Sequence, residues 1–118
     1  MANVFKVKTN GSLPAAAGTP DTLYTVPASK TAVVLGLVLC NNGTSAIDVD
    51  VKLESDTSDT ETNETVFVVK DAPLPVGGSL EVLSGGKVVL QTTDVLKIDS
   101  NTSGQVDATL SIMESDVS

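Results

Sequence analysis

Residues 31–40 read TAVVLGLVLC, the most apolar run of the sequence, and residues 41–43, NNG, close it with a strong turn signal. A β-strand sends successive side chains to opposite faces. Strict alternation puts Val33, Leu35, Leu37 and Leu39 on one face and Val34, Gly36, Val38 and Cys40 on the other. Both sets are apolar, so the strand is expected to be covered on both sides. One cover is the domain core. The other is a second layer or a neighbouring subunit.

Outward from this run, short strands and turns alternate. Residues 4–8 place Val4, Lys6 and Lys8 against Phe5 and Val7 and read as a short edge strand or an arm, with lysines that oppose wrong edge pairing. Residues 9–21 are rich in small residues, Gly and Pro and read as a linker. Residues 22–26 form a strand ended by Pro27, which has no N–H for a ladder. Beyond the central run, Asn42-Gly43 is expected to start a hairpin into residues 45–54. There Ile47, Val49, Val51 and Leu53 face one way and Asp48, Asp50, Lys52 and Glu54 the other. Residues 55–64 form an acidic loop, residues 65–70 a strand, and residues 71–78 a proline-stiffened connection. Residues 80–83 and 87–91 flank a Gly85-Gly86 turn as partner strands, and residues 94–99 follow with Leu96 and Ile98 on one face. Residues 105–114 close the fold, with Val106, Ala108, Leu110 and Ile112 inward and Asp107, Thr109 and Ser111 outward. The tail 115–118 is expected to be loose.

This pattern is all-β: a single antiparallel β-sandwich of about 8–9 short strands, with turn signals at the spacing such folds show. A jelly roll and an Ig-like Greek key both fit, and the strand count favours the jelly roll. The chain is divided into an N-terminal arm and linker, residues 1–21, and a sandwich domain, residues 22–118.

Composition narrows the chemistry. The 118 residues suffice for one core. Aromatics are only 3%, so Val, Leu, Ile and Ala must fill it. The net charge of −8 repels phosphate, so neither nucleic acid nor an anionic membrane is an expected partner. Histidine is absent, which removes Ser-His and Cys-His nucleophiles and, with a lone cysteine, makes zinc a poor fit. A carboxylate-pair glycosidase needs stacking aromatics, and the sequence has one Tyr and no Trp. No catalytic, cofactor-binding or metal residue is therefore assigned, no cofactor is expected, and the protein is not read as an enzyme. The acidic loop, residues 55–64, lacks EF-hand spacing and reads as solvated rather than as a cation site. Cys40 reads as a buried, inert thiol. Asn-x-Ser/Thr triplets at Asn10, Asn42, Asn63 and Asn101 read as turn composition. The first residues do not form a secretory signal, and no apolar run reaches the roughly 18–20 residues of a membrane span. Synthesis in a cytosol is the expectation. Val34, Val38, Val69, Leu83, Val89, Val95 and Met113 either fill the second sheet's core or form, in part, an oligomer or docking surface.

Several stretches also carry a resemblance. They are DTLYTVPA at 21–28 leading into TAVVLGL, VKDAPLPVGGSLE at 69–81, GKVVL at 86–90, DVLKI at 94–98 and DATLSIME at 107–114. In this order the chain resembles small virion proteins of tailed bacteriophages infecting marine or freshwater bacteria. The resemblance implies a structural part of the particle and carries over no catalytic residue. Small acidic β-sandwiches of this kind resemble capsid decoration, or cement, proteins, which clamp neighbouring major capsid protein subunits from outside. A homo-oligomer, dimer or trimer, suits such a role. The alternatives are a tail, neck or fibre component and, with less support from so few aromatics, a host-surface glycan-binding module.

Overall fold

The computed structural model describes residues 3–55, 63–83 and 85–117. It contains nine strands among the described residues: β1 (Asn3–Leu13), β2 (Asp21–Thr25), β3 (Lys30–Asn41), β4 (Ile47–Glu54), β5 (Val66–Leu74), β6 (Ser79–Glu81), β7 (Val88–Leu90), β8 (Val95–Ser100) and β9 (Val106–Asp116). Every pairing is antiparallel. One sheet runs β1-β9-β3-β6, with β7 also on β3; the other runs β2-β8-β4-β5.

This order is a jelly roll. The first half of the chain pairs with the second as one long hairpin: β1 with β9, β2 with β8, β3 with β7, and β4 with β5. Rolling that hairpin adds β9 to β3 and β8 to β4. Strands β6 and β7 lie end to end along β3, opposite Val38–Cys40 and Ala32–Val34, as one strand interrupted between them.

Two expected hairpins are thereby corrected. Strands β3 and β4 lie in different sheets, so residues 42–46 cross between layers. The buried Asn41 knots that crossing: its Nδ2 donates to the Ser45 and Leu74 carbonyls, and its Oδ1 accepts from Gly43 N. Strands β6 and β7 do not pair with each other, because β3 is long enough to serve both.

The apolar pattern explains the core. Inward residues of β4, β8 and β9 (Val49, Val51, Ile98, Val106, Leu110 and Ile112) are fully enclosed. Strand β3 departs from strict alternation. Its register with β9 slips between Val34 and Gly36, a β-bulge that spends one residue without reversing the strand. The inward set becomes Ala32, Val34, Leu37, Leu39 and Asn41, and Leu35 is turned to solvent. Alternation across the bulge had placed Leu35 with Leu37.

Three further boundaries differ from the sequence reading. Strand β1 continues through residues 9–13, where a linker was expected, because β9 offers a partner along its whole length. Strand β5 continues to Leu74 through Pro73, tolerated because β5 is an edge strand. Ser115 and Asp116 belong to β9, and Val117 N donates to the Ser29 carbonyl, so the described tail is tied down.

Candidate interaction surfaces

The two sheets show unlike outer faces. On the β2-β8-β4-β5 sheet the outward positions of β4 and β8 include Asp48, Asp50, Lys52, Glu54, Lys97 and Asp99. Asp50 stands directly opposite Asp99, an unfavourable pairing on its own. Backbone donors offset it: Asp71 N donates to Asp50 Oδ1, and Gly18 N and Ser100 N donate to Asp99 Oδ1. Lys97 reaches Glu54 at 3.1 Å. Lys70 and Lys52 lie over the Phe67 ring, 4.7 and 5.3 Å from its centre. Asp56, Asp59 and Glu61 of the expected acidic loop lie outside the described residues.

The outer face of the β1-β9-β3 sheet is different. Register aligns Phe5 with Met113, Met113 with Val33, and Val33 with Val89. These four side chains form one apolar row across four strands. Phe5 is 72% exposed and Val89 65%. Val7, exposed Leu35 and half-buried Val38 extend the patch. The strands contribute only Asp107 and Glu81 as charged outward positions among the described residues. Of the residues expected to form a second apolar face, Val89, Met113 and Val38 lie here, whereas Val34 is in the core. Cys40 also faces outward, half-buried, because the bulge sets the parity after Gly36.

The third feature is the edge where β1 passes over β2. Lys6 points inward, into a cleft of about 470 Å³ that Lys8, Asn10, Thr22 and Tyr24 help to line. At its base lies Glu114, 3% exposed, at the inward position that follows Ile112 in the period-two series. Lys6 Nζ is 2.8 Å from Glu114 Oε1. Tyr24 Oη donates to Glu114 Oε2 at 2.5 Å. The cluster ties β1, β9 and β2 together across both sheets. The Lys6 hydrogen bond, then that of Tyr24, holds the Glu114 carboxyl below its ordinary pKa against the opposing effect of burial. Burial, reinforced by Glu114, pushes the Tyr24 hydroxyl far above its usual value, so it remains a donor. Lys30, held up by its partner Asp116, fixes the adjacent strand ends. The sequence reading missed this cluster, although the alternation Ala108, Leu110, Ile112, Glu114 marks a carboxylate at a core position.

Strand β1 is also the longest uninterrupted edge. It pairs with β9 over Asn3–Asn10 without a register break, and residues 3–12 are exposed throughout. The other edges are blunted: β6 and β7 span three residues each, β2 spans five with a register break, and β5 carries Pro73 and two breaks. Such shortening, bulges and prolines are the usual protection of sheet edges.

No family model matches the sequence, and no curated protein matches it. Solved structures do. A chain of the T13 particle of infectious bursal disease virus superposes with a TM-score of 0.54 at 12% identity, covering 98% of this chain and 36% of that one. A chain of the VP2 subviral particle of the same virus gives 0.45 at 11% identity, covering 95% and 32%. A Bacillus endospore appendage, a disulfide-linked pilus, gives 0.49 at 17% identity, covering 99% and 87%. The chain thus spans about a third of the length of the viral chains it matches. At these identities the likeness to the T13 particle chain is one of fold alone.

Proposed function

We propose that the protein is a non-enzymatic structural component of a virus particle, a decoration protein of a tailed bacteriophage that binds the outside of the major capsid protein shell and stabilises it. The observation that carries the reading is the open edge of β1, long, unbroken and exposed on a molecule whose other edges are blunted. An edge of this kind accepts a strand from a neighbour, with main-chain hydrogen bonds supplying affinity. The charged outer face of the other sheet and the net charge of −8 suit a surface turned to solvent, away from packaged nucleic acid. Occupying many identical shell sites at once stabilises the assembly by mass action.

The first test is the copy number in purified particles by quantitative mass spectrometry. A simple ratio to the major capsid protein is expected. A handful of copies per particle would move the protein to the neck, tail or fibres, and absence would overturn the reading. The edge itself is tested with Lys8→Pro and Thr9→Pro. In an antiparallel edge one of two consecutive residues points its N–H at the partner strand and the next points it outward. The variant that keeps the wild-type melting temperature should fail to decorate stripped particles. Decoration at wild-type level by that folded variant would refute docking through β1.

A further inference from the structure

The apolar row on the outer face of the β1-β9-β3 sheet needs a cover that strand addition at the β1 edge does not provide. We infer that this face packs against the same face of a second copy of the chain, making a symmetric dimer whose two β1 edges stay open.

Three observations favour a second copy. The first is charge. The chain carries a net charge of −8, so two copies repel wherever their acidic surfaces meet. Among the described residues the strands of this face contribute only Asp107 and Glu81 as outward charges, and neither stands on the row: Asp107 pairs with Cys40 and Glu81 with Val38, its carboxylate accepting from Leu37 N, whereas the row crosses β3 at Val33. Asp107 is already engaged, accepting from Ser12 N and Asn42 Nδ2. Face to face is thus the approach that brings the fewest like charges together. The second is area. Strands β1 and β9 are 11 residues long, β3 is 12, and β6 and β7 are three each, which together present a footprint of about 600 Å². A standard interface buries roughly 600–1,000 Å² per partner, so the face reaches the lower end of the size a stable dimer needs. The third is shape. The row runs across the strands, so a two-fold axis through it sets Phe5, Met113, Val33 and Val89 against their own counterparts, as an isologous contact requires. Two sheet faces packed in this way are the ordinary geometry of stacked sheets.

The experiment is sedimentation velocity and equilibrium on the full chain, alone, over a concentration series from 1 to about 200 μM, a range spanning ordinary dimer affinities. The wild type is expected to dimerise. Val89→Lys and Phe5→Lys place a charge at positions already exposed in the single chain, so they should keep the melting temperature measured at the most dilute point while weakening the dimer at least tenfold. Glu64→Lys, an exposed control away from this face, should change neither. A wild type that stays monomeric across the series overturns the inference. So does a dimer that both face variants leave intact. If the wild type is monomeric and Val89→Lys abolishes binding to purified shells, the face belongs to a shell subunit instead. This outcome is separable from failure of the β1 docking reading, because Val89 lies on β7, at the opposite side of the sheet with β9 and β3 between it and β1.

Discussion

Tyr24→Phe isolates one hydrogen bond. Tyr24 is buried on β2, and its hydroxyl donates to Glu114 Oε2 at 2.5 Å. The substitution deletes one oxygen and keeps the ring, so it leaves no cavity for neighbouring side chains to fill. It removes a hydrogen bond to a charged acceptor, about 1.5–3 kcal/mol in folded proteins. Glu114 keeps Lys6 at 2.8 Å, and the cleft above admits a water that recovers part of the loss. A net cost of about 2 kcal/mol follows. For a domain of this size that is roughly 6–12 °C in Tm, or about 1 M in urea midpoint at an unchanged slope. Far-UV circular dichroism or calorimetry is the appropriate readout, since Tyr24 is the sole tyrosine and tryptophan is absent.

The same variant carries a pH signature. The folded state depresses the Glu114 pKa through Lys6 and Tyr24. A depressed carboxylate contributes stability that is fully present above its unfolded pKa and lost as pH falls through its folded pKa. Removing Tyr24's hydroxyl raises the folded pKa, so the variant has less of this contribution to lose. The gap between wild type and variant should narrow on acidification through the carboxylate range. A cost below 0.5 kcal/mol at pH 7, roughly the scatter of neutral surface substitutions, would refute the buried-cluster argument. A gap that stays constant into strong acid would refute its electrostatic part.

Two further predictions test local geometry. Val34→Ala should cost roughly 2–3 kcal/mol in urea unfolding, as a buried large-to-small change does. Leu35→Ala should stay within about 0.5 kcal/mol, because the bulge leaves Leu35 39% exposed and Val34 2%; equal costs would place both on the strict alternation. Gly43→Ala should cost about 1–3 kcal/mol through overpacking, since its new Cβ would come within 2.5 Å of the Gln105 Cγ, Cδ and Oε1 atoms. Gln105→Ala in the same chain should recover most of that loss, and a non-additive double-mutant cycle in thermal melts is the check.

What was legible in the sequence follows from where side-chain period alone sets the outcome. Strands β4, β8 and β9 alternate without interruption, and their inward residues are those alternation names. Where the ladder slips, alternation fails. The bulge at Val34/Gly36 turns Leu35 outward and moves Leu37 and Leu39 to join Val34 inside. Nothing in VVLGL other than its glycine marks the slip. Turn chemistry also misled, because NNG is a hairpin signal only when the flanking strands share a sheet. Here the Asn41 side chain takes up the Ser45 carbonyl within the crossing and the Leu74 carbonyl at the end of β5, and the chain changes layer. The interaction surfaces were legible in part: Val38, Val89 and Met113 were candidates for a second apolar face, but Phe5 joins them only through the β1–β9 register, which links the two ends of the chain.

That register has a consequence for both surfaces. In β1 the lysines and the apolar residues alternate, Lys6 and Lys8 toward the cleft, Phe5 and Val7 toward the outer face. A slip of one residue would exchange the two sets. Phe5 or Val7 would then meet the Glu114 carboxylate, and a lysine would break the apolar row between Met113 and solvent. An exposed edge strand gains little from burial to prevent this, since residues 3–12 are exposed. The Lys6–Glu114 contact supplies what burial does not: a one-residue slip takes the cation away from the enclosed carboxylate, and leaving such a charge uncompensated is costly. The polar cluster beneath β1 and the apolar row above it are thus coupled through the period of a single strand: the ion pair that closes the cleft also keeps the apolar side of β1, Phe5 and Val7, on the outer face with Met113, Val33 and Val89.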